Sequence, residues 1–189
     1  NSELKFLYVG RVSKEKNLQL LADAFIDITD AGYRSALIVV GDGAFRNELE
    51  HLLNGYPVLF TGFLSGDELS TIYASSDVFV FPSTTDTFGN VVLEAQSSGI
   101  PVIVSDEGGP KELMVDGKTG LVIKAHSKTA LVDALTFFFL DKNNRAFMGS
   151  NARNFAETNG ITAYEAYHTI LNTHAKIEER CTTEDFVPV

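Results

Sequence analysis

The sequence predicts a doubly wound α/β domain, a parallel sheet of about six strands with helices on both faces, and three observations carry that prediction. Short continuous runs of Val, Ile, Leu and Phe alternate with segments whose apolar residues fall at helical intervals, the pattern of strands that are covered on both sides. Five of the six apolar runs end on glycine or serine before the next periodic segment, so each strand leads through a turn into a helix. At 189 residues, with 44% apolar and 21% charged side chains, the chain is long enough for one well-cored domain and short for two.

The first unit is the strand KFLYVG (5–10) and the helix NLQLLADAFIDITDAG (17–32), whose Leu, Ala, Phe and Ile recur at helical spacing up to a terminal glycine. The unit then repeats. ALIVVG (36–41) precedes the amphipathic AFRNELEHLL (44–53), VLFTG (58–62) precedes DELSTIYAS (67–75), and VFVFPS (78–83) precedes NVVLEAQSSG (90–99). PVIVS (101–105) precedes a glycine turn and the segment KELMVDG (111–117), which the repeat expects to be helical. GLVI (120–123) is the last strand, and after it come only helices: KTALVDALTFFFL, a segment around NNRAFMGSNARNFAE, and TAYEAYHTILNTHAKIEER. The phenylalanine run and the pair Tyr164 and Tyr167 read as packing surfaces. The tail CTTEDFVPV, residues 181–189, is expected to fray.

In a doubly wound sheet ligands sit outside the carboxyl ends of the strands. The loops to inspect are therefore GRVSKEKN, VGDGAF, TGFLSGDE, PSTTDTFGN and SDEGGPKE. A formal net charge of −10 argues against nucleic acid or an anionic membrane as partner, so any anion must be gripped locally. The single cysteine, Cys181, supports neither a disulfide framework nor a cysteine-based zinc site. His51, His126, His168 and His174 lack metal-ligand company. No apolar run reaches membrane-spanning length and no signal peptide is evident. The expectation is a cytoplasmic, soluble chain; its start almost directly on a strand suggests a piece of a longer protein.

Three of the loops carry chemistry. GRVSKEKN gathers Arg11, Lys14 and Lys16 ahead of a helix, which suits a phosphate or diphosphate, although a solvated basic turn would look the same. VGDGAF approaches a dinucleotide fingerprint but has Arg46 where the third glycine should stand. The stretch TDTFGNVVLEA sets Asp86 and Glu94 eight positions apart around Gly89. With a helix starting at Gly89 or Asn90, both carboxylates can line one crevice, and the backbone N–H groups of Phe88, Gly89, Asn90 and Val91 point into it. Carboxylates suit sugar hydroxyls because each accepts two hydrogen bonds at once. The plainer alternatives are an N-cap for Asp86 and a helix-surface ion pair for Glu94.

The ordered set GRVSKEKN, VVGDGAFRNELE, FTGFLSGDELSTIYASSDVFVFPS, TDTFGNVVLEAQSSGIPV and EGGPKELMVDGKTGLV resembles the C-terminal, donor-binding domain of the group 1 family of retaining glycosyltransferases, one Rossmann-like half of a GT-B fold. The resemblance covers nearly the whole chain, roughly residues 4–180, and five motifs in order are far more specific than any one. It implies that Asp86 and Glu94 are the family's E-x7-E pair, Glu94 holding the nucleotide ribose and Asp86 the hydroxyls of the donor sugar. It makes Arg11 and Lys16 the cations that neutralise the diphosphate, and Gly10 the glycine that lets their loop close. Phe88, Gly89, Asn90 and Val91 would hold sugar and diphosphate through main-chain N–H groups. Gly62, Phe63 and Leu64 would read the base, with Gly41 and Gly43 forming the glycine turn beside it. One departure stands out: the first acid is Asp86, one methylene shorter than the family's usual glutamate.

The activity that the resemblance implies is that of a hexosyltransferase taking a nucleoside-diphosphate sugar, a UDP-sugar in preference to a GDP-sugar. No cofactor is implied, and because no two aspartates stand two apart no metal clasp is expected either. The N-terminal acceptor-binding domain is absent from this chain, so nucleotide binding without turnover is expected. Any peripheral membrane association would come through that absent half. An NAD-dependent oxidoreductase and a non-catalytic nucleotide-binding module remain the alternatives from other classes.

Overall fold

The computed structural model describes residues 4 to 158. Six parallel strands form one sheet in the order β3-β2-β1-β4-β5-β6: β1 (Leu4–Val9), β2 (Ser35–Val40), β3 (Val58–Gly62), β4 (Val78–Phe81), β5 (Val102–Ser105) and β6 (Gly120–Ile123). Register is continuous through the centre, where Leu4 to Val9 pair residue by residue with Ser35 to Val40. Within β1 the neighbours Phe6, Leu7 and Tyr8 are all fully buried. Adjacent side chains point to opposite faces, so the sheet is covered on both sides. At the edges, β3 and β6 keep partly exposed positions.

The helices are α1 (Leu18–Asp30), α2 (Arg46–Leu52), α3 (Gly66–Ala74), α4 (Asn90–Ser97) and α5 (Lys128–Leu140), with residues 142–158 also helical. Right-handed crossovers that run outward from β1 in opposite directions put α1 and α2 on one face and α3 and α4 on the other. α1 buries Leu18, Leu21, Ala22, Phe25 and Ile28, a stripe at helical spacing worth about 1.5–3 kcal/mol for each large side chain. It stops at Ala31, just before Gly32, whose φ of +91° the helix cannot continue. α5 starts at Ser127, whose hydroxyl accepts from the Ala130 N–H at 3.2 Å. It packs Leu131, Leu135 and Phe138 into the core, and Lys128 bridges to Asp27 of α1 at 2.7 Å.

The segment after β5 departs from expectation. It holds one 3-10 turn, Pro110–Leu113, followed by extended Met114. The Val115 N–H is captured by the Thr119 hydroxyl at 2.9 Å and the Gly117 N–H by the Gly120 carbonyl at 2.9 Å, so a tight turn takes the donors a helix would need. The last expected helix, the tail, Tyr164, Tyr167, His168, His174 and Cys181 lie outside the described residues. Among the described residues no helix is long and apolar enough to cross a membrane.

Candidate functional site

The strand order reverses between β1 and β4, and the loops leaving the carboxyl ends of the central strands are laced together there. The Gly10 N–H donates to the Val40 carbonyl at 3.0 Å, the Gly41 N–H to the Gly62 carbonyl at 2.7 Å, and the Val12 N–H to the Asp42 carbonyl at 3.0 Å. This crossing demands glycine. A Cβ on Gly41 would lie 2.0 Å from the Gly10 oxygen, far inside van der Waals contact. Asn17, left-handed at φ +53°, donates from its side chain to the Pro82 carbonyl at 3.1 Å and ties the basic loop to the end of β4. From the far side, the Gly109 N–H donates to the Asp86 carbonyl at 2.8 Å, and a Cβ there would lie 1.9 Å from the Thr87 oxygen.

Two adjoining cavities open over this crossing. The smaller, about 320 Å³, is lined by Gly10, Arg11, Lys16, Phe81, Asp86, Gly89, Asn90 and Val91. The larger, about 540 Å³, runs past Gly41, Asp42, Phe63, Leu64, Ser65, Gly66, Leu69 and Glu94. Val9, Gly10, Arg11 and Val91 belong to both. α4 begins at Asn90 with Gly89 at the N-cap, φ +91°. The N–H groups of Phe88, Gly89, Asn90 and Val91 make no hydrogen bond to another described residue, as at any helix start without a side-chain cap, and remain available to a ligand.

The charges are unevenly held. Lys16 Nζ lies 2.8 Å from each carboxylate oxygen of Asp86, and both side chains are largely buried, at 15% and 23% exposure. Arg11 is exposed and touches Glu15 only at 3.7 Å. Beneath the cavities runs an aromatic row of Tyr8, Phe81, Phe79 and Tyr73, with ring centroids 5.9, 5.9 and 6.0 Å apart. The Tyr8 hydroxyl donates to the Arg11 carbonyl at 2.9 Å and fixes the loop that carries that cation. At the other end Tyr73 donates to Glu94 Oε2 at 2.9 Å. Burial pushes both phenols above their ordinary range, with Asp86 and then Glu15 adding to Tyr8, and Glu94 adding to Tyr73.

Of the residues singled out by sequence, Arg11, Lys16, Asp86, Gly89 and Asn90 meet in the smaller cavity, and Gly41, Phe63, Leu64 and Glu94 in the larger. The two acids line adjoining cavities that share Val9, Gly10, Arg11 and Val91, Asp86 in the smaller and Glu94 in the larger. Gly43, Gly62 and Phe88 line neither; a Cβ on Gly43 would meet the Val12 oxygen at 2.4 Å, so that glycine serves the packing of the loops. Tyr8, Asn17, Tyr73 and Gly109 escaped the sequence reading. An asparagine just before a helix and a double glycine before proline were the available signals for Asn17 and Gly109; the two tyrosines gave none. Among the described residues no group of three His, Cys, Asp or Glu side chains could hold a metal ion.

Comparison with known proteins points one way. The family model for "Glycosyl transferases group 1" matches residues 1–155. The sulfoquinovosyl transferase SQD2 of Arabidopsis thaliana is 40% identical over 154 residues, which are 80% of this chain and 29% of that protein. A GDP-mannose-dependent alpha-mannosyltransferase of Mycolicibacterium smegmatis is 38% identical over 136 residues, 71% of this chain and 34% of that protein. The crystal structure of the C-terminal domain of a glycosyl transferase group 1 family protein (LpcC) from Francisella tularensis superposes with a TM-score of 0.75 at 25% identity, covering 82% of this chain and 85% of that one. The chain thus spans about a third of the length of the two curated relatives.

Proposed function

The chain belongs to the group 1 glycosyl transferases, and from that premise we propose that residues 1–180 are the donor-binding domain of a retaining hexosyltransferase whose acceptor-binding half lies in another part of the protein. The observation that carries the proposal is the pair of cavities that meet at Arg11 above the N-terminus of α4. A nucleoside fits the larger, with its base along the main chain of Phe63 and Leu64 beside Gly41 and its ribose at Glu94. The diphosphate lies over the junction. There Arg11, Lys16 and the N–H groups at the start of α4 offer positive charge and hydrogen bonds. The sugar occupies the smaller cavity, with its hydroxyls on Asp86.

Lys16 has three N–H donors. Two meet the oxygens of Asp86, and the third remains for a phosphate oxygen. In glycosyl transfer the bond between the anomeric carbon and the phosphate oxygen breaks through an oxocarbenium-like state. The task is to stabilise the departing negative charge, and donors that are already fixed do so without reorganising. These groups supply that stabilisation without a metal ion. A UDP-sugar or a GDP-sugar suits the larger cavity, and the acceptor, a carbohydrate, lipid or other hydroxyl compound, is chosen by the other half.

A thermal-shift panel with UDP, GDP, ADP and NAD, each with and without EDTA, tests the proposal, because a ligand that binds only the folded state raises the melting temperature. One nucleoside diphosphate is expected to raise it selectively, unchanged by EDTA, while the chain alone transfers no sugar. A shift with NAD and none with a nucleoside diphosphate would replace this reading with a dinucleotide enzyme. No shift with any of the four would remove it.

A further inference from the structure

Glu94, which lines the larger cavity and also a third one of about 600 Å³ shared with Tyr73, is held by a residue that the donor-site reading does not use. Tyr73 is 3% exposed, and its ring lies against Phe79 of β4 with a 47° tilt. Its hydroxyl is 2.9 Å from Glu94 Oε2 and 3.5 Å from the Val91 carbonyl. A phenol has one proton to give, and the shorter contact with an ionised acceptor takes it. Glu94 is an exposed residue on the first turns of α4, so without this bond its three side-chain torsions would turn freely in water. With it, Oε2 is pinned, and Oε1 has no partner among the described residues.

We propose that Tyr73 is a positioning residue: a buried phenol on α3 that reaches across to α4 and fixes the Glu94 carboxylate in the one orientation that presents its free oxygen to the ribose hydroxyls of the donor. The proposal rests on the reading of Glu94 as the ribose contact. Two features favour positioning over simple core filling. Apolar packing alone would be met by phenylalanine, whereas here a buried hydroxyl has a charged partner at hydrogen-bonding distance and no other described partner closer than 3.5 Å. The anchor is also rigid at its base, since Tyr73 stands on the aromatic row that runs under both cavities to Tyr8. Burial and the neighbouring Glu94 keep the phenol protonated across physiological pH, so the donor is always present.

The test is the preference of the protein for ribose over 2′-deoxyribose, read by calorimetric titration with UDP, GDP and ADP and their 2′-deoxy counterparts. Three variants are compared with the parent: Tyr73→Phe, Glu94→Ala and Phe79→Leu. For the diphosphate that binds best, the parent should prefer ribose by roughly tenfold or more, the discrimination expected when a carboxylate would otherwise lose its hydroxyl partner. Glu94→Ala should abolish the preference. Tyr73→Phe should remove most of it while the protein still melts cooperatively, and Phe79→Leu, which loosens the same ring packing but keeps the hydroxyl, should leave it near the parent value. If Tyr73→Phe keeps the preference while Glu94→Ala loses it, or if Phe79→Leu lowers it as much as Tyr73→Phe, then Tyr73 is a core tyrosine and the proposal fails with the ribose contact intact. If Glu94→Ala keeps the preference, or if no diphosphate binds, the reading of Glu94 fails and takes the proposal with it.

Discussion

Replacing Lys16 by methionine keeps most of the side chain's volume and removes its charge. What remains is Asp86, at 23% side-chain exposure, with its two charge-assisted bonds of 2.8 Å gone. Breaking a fully buried ion pair from one side costs about 3–5 kcal/mol, mostly as the penalty for the stranded charge. Here the remaining exposure lets water reach the carboxylate, so about 2 kcal/mol is the better figure for Lys16→Met. In a domain of this size that lowers the melting temperature by roughly 4–8 °C. The double variant Lys16→Met with Asp86→Asn takes away the stranded charge and should recover about 1 kcal/mol or more. Urea denaturation at unchanged slope measures both differences. A double variant no more stable than Lys16→Met alone would refute the reasoning, because the loss would then come from packing and not from an uncompensated charge.

Two further outcomes rest on the same geometry. Gly41→Ala puts a Cβ 2.0 Å from the Gly10 oxygen at φ +122°, whereas Gly32→Ala at φ +91° meets nothing within 4 Å. The second should cost only the left-handed conformation, about 1–2 kcal/mol, and the first clearly more in urea unfolding, with nucleotide affinity lost as well because the two loops must separate. The other outcome concerns alkaline pH. Tyr8 and Tyr73 both have phenols raised above the unfolded value of about 10. The folded state therefore keeps protons that the unfolded chain releases. Their contribution is whole below pH ~10 and falls above it by about 1.4 kcal/mol per pH unit for each tyrosine. Unfolding measured from pH 9 to 11 should show that fall, and Tyr8→Phe or Tyr73→Phe should each remove one share of it; an unchanged slope would contradict the burial argument.

The architecture was legible because a parallel sheet covered on both faces needs continuous apolar strands, and β1, β2, β4 and β5 are nearly that in sequence. The start of α4 was legible too, since Gly89 before an apolar run is where a helix can begin. The segment 111–117 was not, because the Thr119 hydroxyl competes for a backbone donor from four positions away, and such a contact leaves no trace in hydrophobic spacing. For the same reason Asp86 and Glu94 could be paired by spacing but not apportioned to the two adjoining cavities. Tyr73 lies 21 positions from Glu94 and Asn17 lies 65 from Pro82. Those contacts exist only after the crossovers have brought strand ends together.

The charge around the site decides how an anion can be held there. Arg11 and Lys16 are the cations on the cavity walls, against the acids Asp42, Asp86 and Glu94, in a chain whose net charge is −10. A diphosphate is therefore not drawn in by a positive field, in contrast to sites that steer ligands over long distances. In the proposed donor site the grip has to be short-range: the exposed guanidinium of Arg11, the third N–H of Lys16, and main-chain donors at the head of α4 would all be effective only at contact distance. That requirement explains why so much of the local structure is spent on holding loops still. Asn17 pins the basic loop to β4, Gly41 allows two loops to touch, Gly109 braces Asp86 from behind, and Tyr8 fixes the carbonyl of Arg11. Donors that act only at contact must be in place before the ligand arrives, since any that had to be ordered on binding would subtract its entropy from an attraction the overall field does nothing to reinforce.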